Sequence, residues 1–266
     1  MDFKGKTILV TGAAGQGIGI GTAKVLSQLG ATVIVNDLSD EMARKVADTI
    51  PRSVPYGADL RNREQVNGMF HELIGRFGTL DGLVNNAGVG NAIPAHETTE
   101  RTFDFLYDLD VKSVWYLSKL FARHHISNGS AGNIVNISSA NAMATMDGYA
   151  LYASAKSAVE GLTRGMSVEL GKYNIRVNAI APGYVPSDQG LHLLSIWTDD
   201  PKQWVKTHIE EYQVLNFQIL PEDCGHTAAF LLSDLSRTIT GQIIHTDNGL
   251  TRLLYARGFT KKLEDL

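Results

Sequence analysis

Short apolar runs alternate with longer amphipathic stretches along most of the chain. KTILV, ending at Val10, is followed by a glycine cluster and then by GIGTAKVLSQLG, whose apolar positions recur at helical spacing. ATVIVND is β-branched and ends on Asp37, and SDEMARKVADTI opens on Ser39, a residue suited to cap a helix. The rhythm continues through SVPYGAD, the helix REQVNGMFHELIGRFG and the run LDGLVNNAG. A long helical stretch around Trp115, the strand GNIVNIS, a helix carrying Tyr152 and the strand NIRVNAIAP complete it. Such runs, separated by amphipathic helices, predict an α/β fold: a doubly wound parallel sheet with helices on both faces.

No repeat, low-complexity tract or linker interrupts the pattern, so the 266 residues are expected to form a single domain. Residues about 188 to 218 break the rhythm and carry Trp197, Trp204, His192 and His208. A long insertion beyond the C-terminal end of a strand is where a substrate lid is expected. The tail at about 250 to 266 has an apolar front (Leu253, Leu254, Tyr255, Phe259) suited to packing on a neighbouring subunit or covering a pocket.

Composition narrows the function. With 44% hydrophobic residues the chain can bury a large core, and a net charge of -4 with interspersed signs points away from nucleic acid. The single cysteine, Cys224, excludes an intramolecular disulfide and a multi-cysteine metal site. MDFKGKTILVTGAAGQ does not read as a secretory signal, and no stretch nears the roughly 20 apolar residues of a membrane span. A cytoplasmic protein without membrane partners is the expectation.

Two constellations carry chemistry. TGAAGQGIG lies between a predicted strand and a predicted helix, the context of a phosphate-binding loop. Gly12 suits the tight turn, Gly17 a close backbone approach to a pyrophosphate, and Gly19 close helix–strand packing. Asp37 falls about 20 residues on, where a carboxylate accepts the hydroxyls of an adenosine ribose and repels a 2′-phosphate. Gln16 and Leu38 stand where NADP would want a basic residue, which favours NAD. The second constellation is Ser139, at the end of the run NIVNIS, with Tyr152 and Lys156. The last two are four residues apart on a helix and share a face. An ammonium beside a phenol favours the phenolate, so the trio can take a proton from an alcohol or give one to a carbonyl.

Together these residues resemble the short-chain dehydrogenase/reductase family, from Lys6 to Gly249. The resemblance implies a Rossmann-type fold, hydride transfer between NAD(H) and a secondary alcohol or ketone, and a homotetramer. It makes Tyr152 the general acid/base, Ser139 the partner of the substrate oxygen, and Lys156 a contact of the nicotinamide ribose. Asp59 and Leu60 match the adenine-contacting segment, and Asn85, Asn86, Ala87 and Gly88 match the NNAG motif. Pro182 and Gly183 match the segment after the sixth strand, with Val185 and Ser187 at the carboxamide; Gln16, Ile18 and Leu38 complete the cofactor set. The family's fourth catalytic residue, an asparagine, falls at Asp110, and the glycine loop carries four residues rather than three between Gly12 and Gly17.

Substrate contacts are expected from Ser139, Asn141, Tyr149, Tyr152, Tyr184 and His192, with Asn91, His96, Met143 and Met146 also near the pocket mouth. They suit a polyol, sugar or cyclic alcohol. Two alternatives use the same fold: an NAD-binding regulatory protein that has lost catalysis, and a lyase or epimerase.

Overall fold

The computed structural model describes residues 1–259. The run after Lys6 forms β1 (Thr7–Thr11), buried at every residue. It pairs with β2 (Thr32–Asp37) on one side and β4 (Gly82–Asn85) on the other. Adding β3 (Ser53–Gly57), β5 (Gly132–Ile137), β6 (Ile175–Pro182) and β7 (Ile243–Thr246) gives a seven-stranded sheet of order β3-β2-β1-β4-β5-β6-β7. Each of the six pairings is parallel. Pro55, which lacks an N–H to donate, lies on the edge strand β3, where a proline is tolerated.

Side chains alternate across the sheet and fill two apolar layers. On one face Ile8, Val10, Val33, Val35 and Ile180 pack with Ala23 and Leu26 of α1 (Ile18–Gln28) and Ala228 and Leu231 of α9 (Pro221–Leu232). On the other, Leu9, Ile34, Leu83 and Ile134 meet Met69 and Leu73 of α3 (Arg63–Phe77). Leu117 and Phe121 of α5 (Ser113–Asn128) and Leu170 of α6 (Ala150–Gly171) close this second layer. Both faces are covered, so the strands' uninterrupted apolar character has its physical reason. Ser39 caps α2 (Asp40–Ala47) by accepting from the Met42 amide, as its position predicts.

The stretch around Trp115 is helical without a break from Glu100 to Asn128, but not α-helical throughout. It divides into α4 (Glu100–Tyr107), a π-helical turn at Asp108–Lys112, and α5. The wider turn shifts the helical phase, and within it Asp110 is fully buried. The segment expected to form a lid contains α7 (Asp188–Trp197) and α8 (Pro201–Tyr212). Residues 260 to 266, the end of the predicted tail, lie outside the described residues. Phe103, Phe105 and Trp115 on α4 and α5, and Val168 on α6, are exposed in the single chain. Among the described residues no helix is long and apolar enough to cross a membrane.

Phe121 is completely buried, and the Gly132 backbone approaches so closely that a Cβ there would lie 2.6 Å from its ring. Phe121→Ala is expected to cost about 3–5 kcal/mol of stability. Denaturant unfolding should show a lower midpoint with an unchanged slope.

Candidate active site

The sheet order reverses beside β1, and the loops leaving the C-terminal ends of β1 and β4 part there to open a cleft. The β1 loop is locked to the β4 loop by close backbone contact. A Cβ on Gly12 would lie 2.6 Å from Ala87 Cα, and one on Gly19 2.5 Å from the Gly12 carbonyl oxygen. The Asn86 side-chain amide donates to the carbonyls of Thr11 and Gly12, each at 2.8 Å. The Thr11 hydroxyl oxygen accepts from the amides of Asn86 (3.0 Å) and Ala87 (3.1 Å). Gly17, with φ 145°, caps α1, so the loop's additional residue is taken up before the helix starts at Ile18. The Gln16 amide is held at 2.9 Å by the Asp188 carboxylate at the start of α7.

Beneath this loop lies a buried ion pair. Lys156 and Asp110 are 5% and 0% exposed, and Lys156 Nζ is 3.0 Å from Asp110 Oδ2. Lys156 also donates to the Ile137 carbonyl at 3.3 Å, while Asp110 Oδ1 accepts from the Val89 amide at 2.9 Å. A Cβ on Gly88 would fall 2.7 Å from Asp110 Oδ2 and 2.9 Å from Lys156 Nζ, so a side chain there would have to push one of the two charged tips aside. Burial by itself works against the Lys156 charge, but Asp110 and Tyr152 outweigh it and raise its pKa.

Tyr152, one turn before Lys156 on α6, has its ring centroid 5.5 Å from the ammonium. Ser139, two residues beyond β5, accepts from the Asn141 backbone amide at 3.2 Å and its side-chain amide at 3.3 Å. With acceptor capacity so engaged, the Ser139 proton is left to donate to an incoming oxygen. Ser139, Tyr152 and Lys156 all line one cavity of about 1190 Å³. The arrangement offers a proton donor, a hydrogen-bond donor and a fixed cation at one place.

The same cavity reaches the far end of the cleft. Asp37, at the end of β2, accepts from the Ala14 amide at 2.9 Å and the Leu38 amide at 2.8 Å. Asp59 is clamped by Arg61, at 3.0 Å from its Nε and 2.7 Å from an Nη, and this bonding lowers the Asp59 pKa. Gly12, Gln16, Gly17, Ile18, Gly19, Leu38, Leu60, Asn86, Ala87, Gly88, Pro182, Gly183 and Val185 also line it. Ser187 does too, although its oxygen already caps α7 by accepting from the Gly190 amide at 2.9 Å. A glycine-lined cradle before a helix N-terminus, with a carboxylate at the end of β2, fits a dinucleotide.

Of the residues expected at the substrate end, Asn141, Tyr149 and Tyr184 line the cavity, as does Met146. His192 does not. It is exposed on α7, whose cavity-lining positions are Asp188, Gln189, Gly190, Leu193 and Trp197, so helical spacing turns residue 192 away. Asn91, His96 and Met143 also fall outside the lining, and His96 pairs with Glu97 at 3.7 Å. Trp204, His208 and Tyr212 of α8 line the cavity instead. Leu250 and Leu253 to Ala256, from the described part of the tail, line it as well. The Asp188 latch escaped the sequence reading because it pairs the glycine loop with a residue 172 positions away that only folding brings near; the Arg61 clamp is a local pair with Asp59, two residues before it.

A family model described as Enoyl-(Acyl carrier protein) reductase matches residues 12–251. The chain is 35% identical over 258 residues to a hydroxynaphthalene reductase-like protein of Metarhizium majus, covering 92% of this chain and 94% of the relative. It is 33% identical over 254 residues to a 3-oxoacyl-[acyl-carrier-protein] reductase of Thermotoga maritima, covering 94% and 99%. Among solved structures, a 3-ketoacyl-(acyl-carrier-protein) reductase of Brucella melitensis complexed with NADH superposes with a TM-score of 0.84 at 27% identity, covering 93% of this chain and 99% of that one. With a family model spanning nearly the whole chain and relatives above 30% identity, the chain belongs to the short-chain dehydrogenase/reductase family of oxidoreductases.

Proposed function

We propose that this protein interconverts a secondary alcohol and a ketone with NAD(H) as partner. The observation that carries the reading is the single cavity joining the glycine loop to Ser139, Tyr152 and Lys156. A bound nicotinamide cofactor supplies or accepts the hydride. In the reductive direction the Tyr152 hydroxyl gives its proton to the substrate oxygen, and Ser139 donates a hydrogen bond to that oxygen. The Lys156 ammonium favours the phenolate that remains, and Asp110 keeps the ammonium in place. Oxidation runs the same steps backwards. The names of the relatives refer to hydroxynaphthalenes and to 3-oxoacyl chains, both compatible with a carbonyl as the reacting group.

Preference for NAD rests on Asp37. Its carboxylate faces the cleft at the end of β2, while Arg61, the cationic side chain at that end, is already neutralised by Asp59. A 2′-phosphate would meet a fixed negative charge without an unpaired cation to offset it.

Tyr152→Phe is expected to lower the rate by roughly 10²–10⁴-fold, with little change in NADH binding by fluorescence titration. Near-full activity in that variant would remove Tyr152 from the chemistry. Replacing Asp37 with Ser together with Leu38 with Arg should move the ratio of kcat/KM for the two cofactors toward NADP. A wild-type protein that already prefers NADPH would contradict the assignment.

Asp110→Asn tests the buried pair. The native carboxylate stabilises the Lys156 ammonium but opposes a nearby phenolate, and the amide removes that opposition. The alkaline-side transition in kcat/KM for alcohol oxidation should therefore move to lower pH. An unchanged or upward transition would show that Asp110 does not couple to the proton-transfer group.

A further inference from the structure

In the sheet, β1 and β6 are separated by β4 and β5. The loop after β1 and the segment after β6 nevertheless meet. The Gln16 amide donates to Asp188 Oδ2 at 2.9 Å, and the Asp188 amide donates back to the Gln16 carbonyl at 3.3 Å. A Cβ on Gly17 would lie 3.1 Å from the Ser187 Cβ, and one on Gly15 3.6 Å from Asp188 Oδ2. The contact therefore arches over the ends of β4 and β5. Ala87 and Gly88, which follow β4, and Ser138 and Ser139, which follow β5, line the cavity it spans.

Asp37 ends β2, outside the strands that the arch bridges, whereas Ser139 follows β5, within them. A dinucleotide reaching from Asp37 to the Ser139 end of the cavity has to pass under the arch.

The segment from Ser187 to Phe217 is tied down unequally. At its far end the Asn248 carbonyl accepts from the amides of Val214 at 2.8 Å and Leu215 at 3.1 Å. The Asn248 side chain donates to the Phe217 carbonyl at 2.7 Å, and Gln213 beside it is fully buried. In the middle, Trp197 packs on Tyr149 and Trp204, with centroids 5.5 and 6.2 Å away. At the start, both Gln16 and Asp188 are exposed. A hydrogen bond that water can replace opens more readily than one held among buried groups. Opening thus falls on the first turn of α7, the part that forms the arch.

We propose that Asp188 is a positioning residue whose pairing with Gln16 straps the first turn of α7 across the cofactor cleft and sets how fast a dinucleotide enters and leaves. The proposal rests on the hydride-transfer reading only in taking the cleft to hold a dinucleotide. A contact made alike in the empty and the occupied cleft favours neither state, so it slows both directions equally and leaves affinity unchanged. That property separates a strap from a residue that binds the cofactor.

Stopped-flow mixing with NADH reads the association rate, displacement by excess NAD the dissociation rate, and fluorescence titration the Kd. Asp188→Ala should raise both rates roughly 3- to 10-fold, the range of one net hydrogen bond, and keep Kd within about twofold of wild type. Asp188→Asn, which keeps an acceptor oxygen without the charge, should stay nearer the wild-type rates. The retained Kd also shows that the variants are folded. Rates unmoved by Asp188→Ala, or a Kd shifted through the dissociation rate alone, overturn the strap and leave the hydride-transfer reading standing. Rates that rise together in a protein that reduces no ketone support the strap and sink the hydride-transfer reading instead. In the wild type, independently of any variant, the Gln16 amide should exchange its hydrogen faster than the amides of Val214 and Leu215. The reverse order would place the opening at the other end of the segment and overturn the assignment to Asp188.

Discussion

A buried ammonium is costly unless a negative charge is placed against it, and the active end of this molecule is organised around that requirement. Lys156 on α6 meets Asp110 from the π-helical turn between α4 and α5, at 3.0 Å. The pair also engages the end of β5 through the Ile137 carbonyl and the loop after β4 through the Val89 amide. The Gly88 backbone lies against both charged tips, so a side chain there would displace them. Four elements are thereby tied to one point, one helical turn from Tyr152. Truncating either charge would leave the other buried alone, so the pair positions the site at the expense of tolerance to change.

The second tie is made of backbone. Gly12 and Gly19 allow the first loop to press against Asn86 and Ala87, and the Asn86 amide bridges to the carbonyls of that loop. Behind them Asn85 donates to Ser118 and Asn136, and Asn136 donates to Thr163, so buried polar groups find one another across four elements, β4, α5, β5 and α6. The glycine-lined cradle and the end of the cavity holding Ser139, Tyr152 and Lys156 thus share a wall. Hydride transfer demands rigidity, because the reacting carbon and the ring must be held in register.

Each end of the cleft was legible to a different degree. Glycines at a strand–helix junction, a carboxylate at the end of β2 and a tyrosine and lysine one turn apart are local patterns, and local patterns are visible in a linear chain. The substrate end is built by distant segments: Tyr149 before α6, Tyr184 after β6, and the two helices of the 188 to 218 insertion. Its aromatic content was apparent, but the choice between His192 and His208 was not. Sixteen residues separate them, and only the packing of α7 and α8 turns one to solvent and the other into the cavity.

The alternation of strands and helices, the parallel sheet and the placement of Asp37, Ser139, Tyr152 and Lys156 follow from periodicity and spacing, because these are set by backbone geometry over a few residues. That Asp110 is an aspartate was plain from the chain; that it is buried against Lys156 was not. A helical pattern around Trp115 carries no mark of the π-turn that rotates residue 110 inward, and an ion pair spanning 46 residues of sequence exists only once α5, α6 and β4 have packed. The same holds for Asp188 on the Gln16 amide and for the unpaired nitrogen of His208. Pattern determines which elements form, but burial and pairing of polar groups are decided by which elements become neighbours.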